Sequence, residues 1–152
     1  MRTVGVLIVV SICAVVVAVA QNSPADSTSD IAAVRRVLDD QVAAWNRGDL
    51  RAYMHGYWNS PELTFFAGAK VTRGWQQTLD RYIAGYQTGG RQMGHLEFRN
   101  LEIQLLTPDT AFVRGQFHLK MKDEKQPHGL FTLLVKKLPE GWRVVHDHSS
   151  GE

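Results

Sequence analysis

The apolar residues of this chain change their spacing once, and that change limits the fold more than any other feature. Up to Tyr86 they recur at steps of three and four; beyond Gly89-Gly90 they alternate at steps of two. The first spacing lines up side chains on one stripe of a helix, the second on one face of a strand. Ile31, Val34, Leu38, Val42 and Trp45 predict a helix from Asp30 to about Asn46, with Asp30 or Ser29 as its cap. Gly48 suits the left-handed residue that ends it, and Asp49 can cap a short second helix through Met54. Leu63 to Phe66 reads as a short strand after Pro61. Thr72 can cap a third helix with the stripe Trp75, Leu79, Tyr82, Ile83 and Tyr86.

In the second half, Leu96 and Phe98 share one phase and Leu101, Ile103 and Leu105 the other. The flip at Arg99-Asn100 predicts a β-bulge, which bends a sheet. Ala111 to Met121, Gly129 to Leu138 and Trp142 to His148 supply three further strands. Helices followed by strands joined through short turns give an α+β fold with the helices on one face of an antiparallel sheet. Strong bending turns such a sheet into a cone, with three helices on its concave side and a pocket between helix one, helix three and the sheet.

The N-terminus reads as an address. Met1-Arg2 is followed by an apolar run from Val4 to Val17, interrupted by Gly5 and Ser11, and then by the small-x-small pattern Ala18-Val19-Ala20. That run is shorter than the roughly 20 residues a membrane span needs, and a cleavage pattern follows it. The expectation is a signal peptide over residues 1–20, export to the periplasm or the medium, and no stable membrane span after cleavage. Residues 21–29 (QNSPADSTS) read as a polar tether, and residues 30–150 as the single domain. Cys13, the chain's one cysteine, lies in the signal, so the domain has no thiol chemistry and no disulfide. The formal net charge of +2 carries no concentrated basic face, which argues against nucleic acid. Arg35-Arg36 and Lys136-Lys137 read as ordinary solvated pairs.

Five segments, AWNRGDL (Ala44 to Leu50), GYWNSPELTF (Gly56 to Phe65), VTRGW (Val71 to Trp75), GLFTLL (Gly129 to Leu134) and GWRVVHDHSS (Gly141 to Ser150), resemble the SnoaL-like branch of the nuclear transport factor 2-like superfamily. They stand in that family's order and cover nearly all of the domain. The resemblance implies a cone-like (cystatin-like roll) fold, an internal pocket and a homodimer. It does not imply one chemistry, because the fold hosts isomerases, cyclases, dehydratases and non-catalytic association domains.

Regular alternation along the last strand places Trp142, Val144, His146, His148 and Ser150 on one face and Arg143, Val145, Asp147 and Ser149 on the other. With Trp142 and Val144 in the core, His146 and His148 are expected to face the pocket. There His148 is the candidate general base or acid, and each imidazole has the alternative of a buried histidine satisfied by backbone. Asp147 faces away unless a bulge intervenes. Tyr82 and Tyr86 on helix three, Trp45 on helix one, and Tyr57 and Trp58 before the first strand are candidate pocket aromatics, with plain core packing as the alternative. Tyr82 and Arg73 are candidates to hold developing negative charge; Arg73 could instead pair with Glu62. His-x-His at 146 and 148 is half a metal site, and no third ligand has the spacing to complete it, so neither metal nor cofactor is expected. Phe112, Leu134 and Val145 point outward, an apolar patch that suits a homodimer.

These residues suggest a protein binding a small, partly apolar organic molecule, with histidine-dependent acid/base chemistry of isomerase, cyclase or dehydratase type. The alternative is a non-catalytic ligand-binding or dimerising module. Whether the pocket holds a paired acid and base separates the two.

Overall fold

The computed structural model describes residues 24–90, 93–122 and 126–151; the expected signal peptide lies outside them. Three helices precede most of the sheet: α1 (Pro24–Asn46), α2 (Leu50–Met54) and, after a short hairpin, α3 (Trp75–Tyr86). The strands are β1 (Thr64–Ala67), β2 (Lys70–Arg73), β3 (His95–Thr107), β4 (Thr110–Lys120), β5 (His128–Leu138) and β6 (Gly141–Gly151). They form one curved, unclosed sheet in the order β2-β1-β6-β5-β4-β3. Every neighbouring pair is antiparallel except β1 with β6, which run parallel. The fold is the α+β roll expected from the change in periodicity.

Helix α1 begins at Pro24, so residues 24–29, expected as tether, are helical instead. Proline tolerates the first turn of a helix, Asp26 suits its positive end, and the Ser29 hydroxyl bonds back to the Asp26 carbonyl at 2.9 Å. The buried stripe is Val34, Leu38, Gln41 and Trp45, while Ile31 is 37% exposed. Gly48 does take a positive φ, of 81°, and the Asp49 carboxylate does cap α2, accepting from the Ala52 amide at 2.9 Å. The cap expected at Thr72 does not form. Thr72 lies within β2, a strand the sequence reading missed, and Gly74 at φ 91° turns the chain into α3 without a side-chain cap.

The core lies between α1, α3 and the concave face, where Leu96, Val113, Phe131, Leu133, Val135, Trp142 and Val144 are buried. Asp30 pins the start of α1 to the sheet: its Oδ1 accepts from Lys137 Nζ at 2.7 Å and from Trp142 Nε1 at 3.2 Å. Lys137 is therefore an anchor as well as a solvated cation. At the other end of α1, the Asn46 side chain brackets Leu96, accepting from its amide at 2.7 Å and donating to its carbonyl at 3.0 Å. Besides a register shift at the β3–β4 turn, between Leu105 and Thr107, two irregularities interrupt the long strands. The expected bulge in β3 falls between Arg99 and Glu102, with Asn100 at φ 51°. A second lies in β6, where Leu134 faces His146 but Val135 faces Val144, leaving Val145 unpaired.

Candidate functional site

That second bulge decides what the pocket contains. Trp142 and Val144 face the core as expected, but the extra residue Val145 reverses the phase of everything after it. Asp147 turns inward and is 4% exposed. His146 and His148 turn to the outer face, contrary to the expected inward orientation. His146 Nδ1 lies 2.6 Å from Thr64 Oγ1, and both imidazoles pack edge-on against the outward Phe66. Partial burial and the neighbouring His148 hold the His146 imidazole below its ordinary pKa.

Between the concave face and the two long helices is a cavity of about 760 Å³, within the size range of small-molecule sites. Trp45, Tyr57, Tyr82 and Tyr86, four of the expected pocket residues, line it. Trp45 supplies the hub of an aromatic cluster, with ring centroids 5.3 Å from Tyr53, 5.9 Å from Tyr82 and 4.8 Å from Tyr86, all edge-on. Its Nε1 reaches the carbonyls of Met93 and Gly94, each at 3.3 Å. Phe65, Phe98, Phe117, Phe131 and Leu133 make the remaining walls largely apolar. Arg73 and Trp58 are not lining residues. Arg73 is exposed at the end of β2, on the opposite face from Thr72 and without an ion pair to Glu62 among the described residues. Trp58 is half-buried, its amide bonded to the Val144 carbonyl at 2.9 Å.

The polar centre of the cavity is Asp147, a residue that regular alternation had turned away. Tyr57 donates to its Oδ2 at 2.7 Å and Ser149 to its Oδ1 at 2.7 Å. The Tyr82 hydroxyl stands 3.4 Å from that of Tyr57, and Tyr53 packs beside both. Burial pushes the Asp147 carboxyl up to about 6, against the opposing pull of the Tyr57 and Ser149 hydroxyls. Burial also raises Tyr53 to about 12 and carries Tyr57 and Tyr82 well above the ordinary phenol, with the Asp147 charge adding to each. Three phenols that stay protonated thus surround one carboxylate that titrates just below neutrality. Such a carboxylate can accept a proton, and such phenols can donate hydrogen bonds to a developing oxyanion.

Gln41, Tyr53, Lys70, Arg81 and Ser149 also line the cavity and were not expected there. Tyr53 is carried by the short α2, where no periodicity can be read. Lys70 opens β2, a strand the sequence does not announce, and Arg81 lies off the apolar stripe by which α3 is read. For Asp147 a signal existed: the adjacent apolar pair Val144-Val145 breaks alternation, as Arg99-Asn100 does in β3.

The model of the SnoaL-like domain matches residues 34–151. The chain belongs to the SnoaL-like family. No curated protein matches the sequence. Among solved structures, a nuclear transport factor 2-like protein of unknown function from Shewanella oneidensis is 40% identical, with a TM-score of 0.72 over 82% of this chain and 98% of that one. A cystatin-like-fold protein from Nostoc punctiforme (12% identity, TM-score 0.68, 82% and 92% covered) has the same fold. So has a ketosteroid isomerase-like protein from Erwinia carotovora (18%, 0.65, 80% and 95%). The fold is thus common ground between this SnoaL-like protein and these structures. Among the described residues no group of three or more metal-ligating side chains converges, and no helix is long and apolar enough to cross a membrane.

Proposed function

We propose that this protein binds a small, largely apolar organic molecule in the cavity and moves a proton on it, with Asp147 as general base. The observation that carries the reading is the buried Asp147 carboxylate, raised to about 6 and held by Tyr57 and Ser149 inside an apolar, ligand-sized cavity. A base works best when its pKa lies near the operating pH, and burial supplies that here. The reacting group that suits the site is a carbon next to a carbonyl. Asp147 takes the proton from carbon, the electron pair moves to the carbonyl oxygen, and Tyr82 donates a hydrogen bond to the oxygen as charge develops. Return of the proton to the same or a neighbouring carbon completes an exchange or an isomerisation. The name of the ketosteroid isomerase-like neighbour agrees with this class of reaction. The histidine-dependent version expected from the sequence gives way to a carboxylate-dependent one, because both imidazoles lie on the other side of the sheet.

The test needs no knowledge of the natural substrate. 2-Tetralone, a bicyclic ketone of suitable size, is incubated with the protein in D₂O, and loss of its α-proton signals is followed by NMR. Exchange above the buffer rate that falls about 10²-fold or more in Asp147→Asn supports the reading. Exchange at the buffer rate in wild type, or equal exchange in the variant, removes the base.

Two further expectations belong to the same reading. The N-terminal pattern ending in Ala18-Val19-Ala20 supports export, and the outward apolar residues of the sheet support self-association through that face. Leu130 is 60% exposed there, on the same face as the half-buried Phe112 and Leu134.

A further inference from the structure

Two cations line the cavity; the Arg81 charge draws the Asp147 carboxyl down, but neither cation takes part in its hydrogen bonds. Lys70 opens β2 and is exposed; Arg81 projects from α3 and is half-buried. Lys70 is the register partner of Ala67, which also lines the cavity, so this ammonium stands where the β1–β2 hairpin meets solvent. Arg81 is held rather than free to wander. Its Nη1 donates to Thr72 Oγ1 at 3.0 Å, and its guanidinium lies 4.9 Å over the Phe65 ring. Phe65 is the register partner of Asp147, so Arg81 lies over the strand beside the one that carries the carboxylate.

Some surface cations of this chain are paired with acids and others are not; what sets these two apart is that they line the cavity without such a partner. Arg99, Arg114 and Lys137 each have a carboxylate within 3 Å. Among the described residues neither Arg81 nor Lys70 has one within the 4 Å of an ion pair. A guanidinium carries five N–H donors, and the Thr72 hydroxyl takes one. A half-buried, preoriented guanidinium with spare donors is suited to an anionic oxygen pair. The cavity's own acid does not fill that role: Asp147 feels the Arg81 charge without forming an ion pair to it, and its hydrogen bonds come from Tyr57 and Ser149. The walls beyond are aromatic.

We propose that the ligand is a monoanionic organic acid, its carboxylate held by Arg81 and Lys70 and its apolar body lying among Trp45, Phe98 and Phe131. This rests on the cavity being the binding site and specifies the class of molecule that enters it. The carboxylate fixes which carbon faces Asp147, so the two cations set orientation while the aromatic walls supply contact area.

The experiment compares 2-naphthylacetic acid with 2-naphthylacetamide, which share shape and differ in charge. Binding is read from the fluorescence of Trp45, with Trp45→Phe as the control that locates the signal. The acid is expected to bind about tenfold more tightly than the amide at pH 8 and moderate salt. Arg81→Gln should lower acid affinity about tenfold and amide affinity less than twofold, and Arg81→Lys should restore part of the difference. Lys70→Gln, at an exposed position that does not threaten the fold, should weaken the acid about threefold. Equal affinity for acid and amide, or equal loss of both in Arg81→Gln and Lys70→Gln, overturns the proposal and leaves the cavity as a neutral-ligand site. A signal that persists in Trp45→Phe, or no signal from either probe, removes the cavity reading and this proposal together.

Discussion

Asp147 pays for its position, and the cost has a pH signature. Its folded-state pKa of about 6 lies above the ordinary carboxyl value of 3.8, so the folded protein holds this proton more tightly than the unfolded chain does. The stabilising contribution is therefore present below about pH 4 and is lost as pH rises through about 6. Asn at this position keeps an acceptor for Tyr57 and carries no charge. Asp147→Asn should accordingly match wild type in urea unfolding at pH 4 and exceed it by about 1–3 kcal/mol at pH 8. The same variant should lose proton exchange at carbon, a stability gain bought with function. Equal stability of the two proteins at both pH values would contradict the buried charge. Tyr57 acts in the opposite sense, since its hydrogen bond lowers the Asp147 pKa. Tyr57→Phe should move the rising limb of the pH–rate profile upward from about 6, whereas a merely structural tyrosine would change the amplitude and leave the midpoint in place.

At the scale of elements, long periodic segments were legible, whereas the short β2 and the bulge in β6 were not. The helix stripe of Val34, Leu38 and Trp45 and the β3 phase flip followed from spacing alone, because burial of one face enforces period. β1 was read from Leu63 to Phe66 and lies one residue later, but the four-residue β2 offers too few residues for a pattern, and Thr72 is as good a strand residue as a helix cap. The β6 bulge cost the most. One unpaired valine exchanged two histidines for an aspartate, so the aromatic part of the site was readable and its acid was not. The other end of β6 is held by Asp30, whose carboxyl the Lys137 hydrogen bond keeps below the usual range against the opposing effect of burial. Asp30→Ala leaves the Trp142 indole N–H buried without this acceptor. It should lower stability by about 1–3 kcal/mol, measured by chemical denaturation, with ligand affinity of the folded fraction unchanged.

For the whole molecule, the fold class could be read because the four long strands follow the three helices along the chain, and the roll is how that order buries both sets of apolar faces. Its outer face remains the surface most in need of a partner. The proposed occupant is a second copy of this chain. Wild-type protein at micromolar concentration is expected to scatter light as a dimer, and Leu130→Glu to shift it toward monomer while the melting curve stays cooperative. A monomeric wild type would end that proposal. Export has an equally direct check: mass spectrometry of secreted or periplasmic protein should find a chain beginning at Gln21, and one beginning at Met1 would refute cleavage.

The parallel pairing of β1 with β6 sets an order in time. β6 lies in the interior of the sheet, between β1 and β5, yet it is the last strand made. While a ribosome is still supplying β5, the β1–β2 hairpin has an open edge and α3 has no acid opposite its tyrosines. When β6 slots in, it joins segments about eighty residues apart, as in the pairing of Thr64 with His146, and delivers Asp147 in the same event. Closure of long loops is slow, so this step should be late in folding. The nascent protein would thus stay chemically silent until its architecture is complete, with no half-built intermediate carrying an armed carboxylate.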